Sequence, residues 1–139
     1  MIMSALELLL VEDNPEEVLL FREALRALPT VVHVTIAYDG ERALELLGGP
    51  AFHPDLIVVD LNLPRINGHT VLEFLKSRPG PPVVVFSVSA NPRDRKRALD
   101  LGARDYVVKP RTRDELFATV RKMVELRFEG RESAANGTA

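Results

Sequence analysis

The residues best suited to chemistry stand where apolar runs stop. Glu12 and Asp13 close LELLLVED, Asp60 closes DLIVVD, Ser87 closes PVVVFS, and Lys109 follows YVV. Three carboxylates gathered at one edge repel. Two unit charges ~4 Å apart cost about 4 kcal/mol at an effective dielectric near 20. A divalent cation removes that cost, and an all-oxygen donor set without Cys or His favours Mg²⁺ over zinc or copper. An Asp can also serve as a nucleophile and form an aspartyl phosphate. A hydroxyl can donate to a phosphoryl oxygen and an ammonium can offset its charge, which is how most catalysis of phosphoryl transfer arises. Each residue has a plainer reading. Glu12 and Asp13 could cap a helix, Asp60 could start a turn, Ser87 could end a strand, and Lys109 could be a surface charge. Their joint placement argues against coincidence. Lys109 precedes Pro110, and a cis peptide there would fix where the ammonium points.

Something must bring these strand ends together. Apolar runs of strand length lie near 6–11, 31–37, 55–60, 82–87 and 105–108. Three are almost continuous in Leu, Ile and Val, as expected when both faces of a sheet are covered. VVHVTIA alternates more and should be less buried on one side. Helical spacing fills the gaps at 15–28, 40–47, 68–77, 92–101 and 113–128. Pro15 after Asn14 suits a capped helix start, and Gly48-Gly49-Pro50, Pro79-Gly80-Pro81-Pro82 and Gly102 stop the later helices. Strand and helix alternate five times. Right-handed crossovers then place helices on both faces of a parallel sheet, an α/β sandwich of three layers. In such a sheet ligands bind outside the carboxyl ends of the strands.

The bulk numbers agree. The chain has 139 residues, 46% of them hydrophobic and 27% charged, and a net charge of -2. That fits one globular domain and no overall nucleic-acid or membrane surface. There is no Cys, which excludes disulfides and thiolate metal sites and fits a cytoplasmic location. No apolar run approaches the ~20 residues that span a bilayer. MIMSALELLLVEDN has no basic start and reads as a strand, not a signal peptide. The expected division is one domain over residues 5–128 and a flexible tail over 129–139, whose EGRESAANGTA offers little to bury.

LLLVEDNP, DLIVVDLNLPRINGH, VVVFS and LGARDYVVKP, in that order, resemble the receiver domain of two-component response regulators. The resemblance covers roughly residues 6–127. It implies a flavodoxin-like fold with strand order 2-1-3-4-5. It also implies a phosphoryl group taken from a sensor histidine kinase onto Asp60 with Mg²⁺, and a conformational switch that signals through partner binding. Asp13 would bind the metal directly, Glu12 through water, Asp60 as acceptor, and Asn62 through its backbone carbonyl. Ser87 and Lys109 would hold the phosphoryl oxygens. Tyr106 matches the aromatic switch that turns inward when the hydroxyl residue moves. Such a protein is a signalling phosphoacceptor, not an enzyme in the metabolic sense. The length suggests a stand-alone receiver. EEVLLFREAL and VVVFSVSANPRD are similar to regulators paired with phytochrome-like histidine kinases.

Some features depart from the family or compete with this reading. Ser87 stands for the commoner Thr and keeps the hydroxyl. Val88 is bulkier than the usual Ala or Gly and is expected to narrow access, while Asn62 and Ser89 flank the site and could tune dephosphorylation. A haloacid-dehalogenase-like phosphatase would need D-x-D, but the residue two after Asp60 is Asn62. A receiver in shape only is the second alternative. A nucleic-acid binder would lean on Arg93, Arg95, Lys96 and Arg97, which read instead as a solvated helix face. His33, His53 and His69 share no strand end and read as surface or loop residues. Phe117, Met123, Leu126 and Phe128 exceed one buried face, which suggests a homodimer through the last helix.

Overall fold

The computed structural model describes residues 5–137, with side chains through Glu125. Five strands are laid down in turn: β1 (Leu6–Val11), β2 (Val32–Ala37), β3 (Leu56–Val59), β4 (Val83–Ser87) and β5 (Asp105–Val108). A helix follows each one: α1 (Pro15–Arg26), α2 (Gly40–Gly48), α3 (Gly68–Lys76), α4 (Pro92–Asp100) and α5 (Arg113–Gly137). All pairings are parallel and the sheet order is β2-β1-β3-β4-β5, as expected. The chain reverses direction across the sheet at β1 and β3, which opens a crevice at their carboxyl ends.

Continuous apolar runs arise because each strand faces two cores. Leu9, Val11, Ile57, Val59 and Val85 pack with Val71, Leu72 and Ala98 on the α2, α3 and α4 side. Leu8, Leu10, Leu56, Val58 and Val84 pack with Val18, Phe21, Val120 and Met123 on the α1 and α5 side. Each fully buried Leu, Ile or Val contributes about 1.5–3 kcal/mol of transfer free energy. β2 lies at an edge with mostly half-buried residues, as its alternating sequence implies.

Asn or Asp caps start four helices. Asn14, Asp39, Asn67 and Asn91 each accept a hydrogen bond from a backbone N–H of the first turn. α5 runs from Arg113 to Gly137. The side chains of 126–139 lie outside the described residues, and with them Leu126 and Phe128 of the expected dimer face. Within the described part of that face, Met123 is a core residue and Phe117 is half-buried against the same core.

Candidate functional site

The backbone ladder continues one residue past three of the strands, and that aligns the chemistry. Glu12 N–H donates to the Ala37 carbonyl at 3.0 Å, Asp60 N–H to Val11 at 3.0 Å, and Lys109 N–H to Ser87 at 2.7 Å. Consecutive parallel strands therefore present Glu12, Asp60, Ser87 and Lys109 along one edge. Glu12, Asp60 and Ser87 are the buried polar residues of the described core. Asp13 is exposed at the mouth. Carboxylate oxygens of Glu12, Asp13 and Asp60 lie within 4.8 Å of one another.

Lys109 reaches into this cluster from the far side. Its Nζ donates to Glu12 Oε1 at 2.7 Å, to Glu17 Oε2 at 2.9 Å and to Asp60 Oδ2 at 3.0 Å. The ammonium also lies 5.8 Å from the Phe86 ring centroid, and Phe86 packs edge-on to Phe21. Sequence reasoning placed Lys109 at the site but missed Glu17. The available signal was spacing. Glu17 follows the acidic pair within five residues and lies in the first turn of α1, directly beyond its cap Asn14.

Electrostatics here are unbalanced. One ammonium faces three carboxylates. Burial raises the Glu12 carboxyl from 4.5 to about 8, with the Lys109 hydrogen bond pulling against it and the Asp60 charge adding to it. For Lys109, burial acts to lower the pKa. Hydrogen bonds to Glu12 and Glu17 and the charge of Asp60 overcome it and hold the ammonium above the ordinary lysine range. Burial is the chief cause of the Glu12 shift and the acidic partners of the Lys109 shift, and Lys109 alone does not neutralise the three carboxylates it meets. A proton on Glu12 relieves the excess negative charge, and so would a divalent cation. The donor set of hard carboxylate oxygens, two of them buried, fits Mg²⁺.

The loop after β3 is set by a glycine. A Cβ on Gly68 would lie 2.5 Å from the Asp60 carbonyl oxygen and 2.7 Å from Leu61 Cα. Its absence lets the start of α3 press against the backbone of Asp60 itself, with Gly68 N–H donating to Leu61. Asn62 is exposed in this loop, and its N–H donates to Asp60 Oδ1 at 3.0 Å. Lys109–Pro110 is trans, like every described peptide bond, so the ammonium is aimed by its ion pairs and not by a cis turn.

Ser87 and Tyr106 meet through Ser89. Ser89 N–H donates to Ser87 Oγ at 3.2 Å, Ser89 Oγ donates to Asp94 at 2.5 Å, and Tyr106 Oη donates to the Ser89 carbonyl at 2.7 Å. The Tyr106 ring is buried in the core beneath α4. Val88, expected to narrow access, is 64% exposed. His69 lies in the first turn of α3, half-buried, and lines a recess with Asn62, Ser87, Ser89 and Asp94. Its Nε2 has no hydrogen-bond partner, and burial together with Arg97 lowers its pKa. In the basic stretch of α4, Arg95 donates to the Tyr106 carbonyl and Lys96 pairs with Asp100. No helix among the described residues is long and apolar enough to cross a membrane.

Comparison with known proteins gives one family. The model of the response regulator receiver domain matches residues 8–121. The regulator of RpoS of Escherichia coli K12 is 41% identical over 120 residues, 81% of this chain and 34% of its own length. The transcriptional regulatory protein CpxR of the same organism is 35% identical over 118 residues, 85% of this chain and 49% of its own length. The chain thus spans between a third and a half of these curated relatives. Among solved structures, the phosphorylated cyanobacterial phytochrome response regulator RcpA is 35% identical with a TM-score of 0.83, covering 90% of this chain and 95% of that one. The Mn²⁺-bound response regulator Rcp1 is 33% identical with a TM-score of 0.76, covering 84% and 89%.

Proposed function

Because the chain belongs to the response regulator receiver family, we propose that it takes a phosphoryl group from a sensor histidine kinase onto Asp60. The observation that carries this reading is Lys109 Nζ, 3.0 Å from Asp60 Oδ2 in a recess that also holds Glu12. An Asp oxygen attacks phosphorus, the N–P bond of the phosphohistidine breaks, and its electron pair returns to the imidazole. Lys109 offsets the charge that the phosphoryl oxygens bring, and Ser87 Oγ donates to one of them. Glu12, Asp13 and Asp60, with the Asn62 carbonyl, would hold Mg²⁺, which when bound neutralises charge on the transferring group.

Signalling follows from Ser87. Ser89 is bonded to Ser87 Oγ, to Asp94 of α4 and to Tyr106. Drawing Ser87 Oγ toward a phosphoryl oxygen biases this group, and with it the α4–β5–α5 surface that a partner reads. Slow hydrolysis of the acyl phosphate resets the protein, flanked by Asn62 and Ser89. The protein catalyses only its own phosphorylation and dephosphorylation. Similarity to the phytochrome response regulator RcpA supports a phytochrome-like kinase as donor. Homodimerisation through α5 belongs to the same proposal and rests on the sequence alone, on Leu126 and Phe128, since Met123 and Phe117 pack on the core. Sedimentation of the wild type against Phe128→Glu tests it, and a monomer in both would reject it.

The deciding experiment is intact mass after incubation with acetyl phosphate and Mg²⁺. One phosphoryl adduct is expected in the wild type and none in Asp60→Asn. No adduct in either, with beryllofluoride also failing to bind, would make this a receiver fold used as a static interaction module.

A further inference from the structure

Lys109 has no free donor. An ammonium carries three N–H groups, and in this protein Glu12, Glu17 and Asp60 take one each. A phosphoryl oxygen on Asp60 must therefore displace one of them before Lys109 can serve it. The three acceptors are not equally held. The Glu12 and Asp60 side chains are 4% and 7% exposed, whereas that of Glu17 is 38% exposed. Glu17 projects from the first turn of α1 and can turn its carboxylate into water at little desolvation cost. Glu12 and Asp60 are anchored by the ladder at the sheet edge and have no such exit.

We propose that Glu17 is the resting counter-ion of Lys109, the acceptor that a phosphoryl oxygen replaces, and so a positioning residue that sets how readily Asp60 is modified. The inference rests on the phosphoacceptor reading of Asp60. The exchange breaks N–H···O–C and forms N–H···O–P, with no proton or electron transferred. It has a positive and a negative side. Glu17 keeps the ammonium aimed into the recess, and it also competes with the incoming anion. Repulsion between the dianionic phosphoryl group and the Glu17 carboxylate then drives the displaced side chain outward. There it stands one turn from Leu20, which is 40% exposed. The modification is thereby marked on α1 as well as on the α4 side.

The test is titration with beryllofluoride and Mg²⁺, followed by fluorine-19 NMR, on the wild type, Glu17→Gln, Glu16→Gln and Asp60→Asn. Glu16 is an exposed acid of the same helical turn that makes no contact with Lys109 among its described hydrogen bonds and ion pairs. Its neutralisation measures the effect of charge alone. Glu17→Gln should bind about three- to tenfold tighter than wild type, the scale of one charge-assisted hydrogen bond at a partly exposed site. Glu16→Gln should stay within about twofold, and Asp60→Asn should not bind. Equal tightening in both Glu variants would reduce Glu17 to a distant charge and overturn the proposal. So would unchanged or weaker binding in Glu17→Gln while the wild type binds. Failure of the wild type to bind would instead remove the phosphoacceptor reading itself, and this inference with it.

Discussion

The Tyr106 hydroxyl donates to the Ser89 carbonyl at 2.7 Å, and this bond ties the ring beneath α4 to the loop that follows β4. Ser89 is saturated: its N–H, its hydroxyl and its carbonyl all bind other residues. Under the proposed switch, a displacement of Ser87 would be felt through this single residue at both Tyr106 and Asp94. Tyr106→Phe keeps the buried ring and removes one hydrogen bond. It should cost about 0.5–1.5 kcal/mol in denaturant unfolding. Beryllofluoride should still bind while the accompanying shifts in α4 amide resonances shrink. Unaltered α4 shifts would disconnect Tyr106 from the switch.

Lys109 is 9% exposed and holds three acids, so its loss leaves their charges uncompensated. Lys109→Met should destabilise the metal-free protein by about 3 kcal/mol, as expected when one partner of a buried ion pair is removed. Millimolar Mg²⁺ should recover much of that loss, because a cation held by Glu12, Asp13 and Asp60 would bind only the folded state. Thermal melts with and without Mg²⁺ check this. Equal destabilisation in both conditions would mean that the cation does not bind among these carboxylates.

Glu12 gives a pH signature with a defined sign. Its carboxyl is raised from 4.5 to about 8 in the folded protein, chiefly by burial. A raised acid contributes stability that is present below the unfolded pKa and is lost as pH rises through the folded pKa. The metal-free protein should thus lose stability across pH 4.5 to about 8 on account of Glu12. Mg²⁺ affinity should rise over the same window, because binding expels the proton. Urea midpoints of wild type and Glu12→Gln at several pH values decide it. The fall should flatten in the variant, and parallel profiles would assign the slope elsewhere.

Gly68 tests the loop that frames Asp60. A Cβ there meets the Asp60 carbonyl oxygen and Leu61 Cα, both backbone atoms that cannot turn aside. Gly68→Ala should cost about 1–3 kcal/mol, the range for overpacking. It should also slow phosphoryl uptake, measured by intact mass over time, because the same contact positions Asp60, the proposed acceptor. Destabilisation with an unchanged rate would separate the loop from the chemistry.

Much of this was legible in the chain itself. The runs LELLLV, LIVV and VVVFS announce strands covered on both faces, because a strand buried on both sides has no reason to alternate. Asn14 before Pro15 announces the start of α1. The positions of Glu12, Asp60, Ser87 and Lys109 follow from chain direction alone, since parallel strands end on the same edge. Pairing across that edge was not legible. Lys109 meets Glu12 and Glu17 from 97 and 92 residues away, and which acids it reaches depends on how α1 docks against the sheet. Tyr106 finds Ser89 through strand register, not through local pattern. Local sequence determines which residues stand at the crevice, because periodicity and capping are short-range physics. Only the packed tertiary structure decides which of them touch and how their charges balance, because those contacts join segments that the chain keeps far apart.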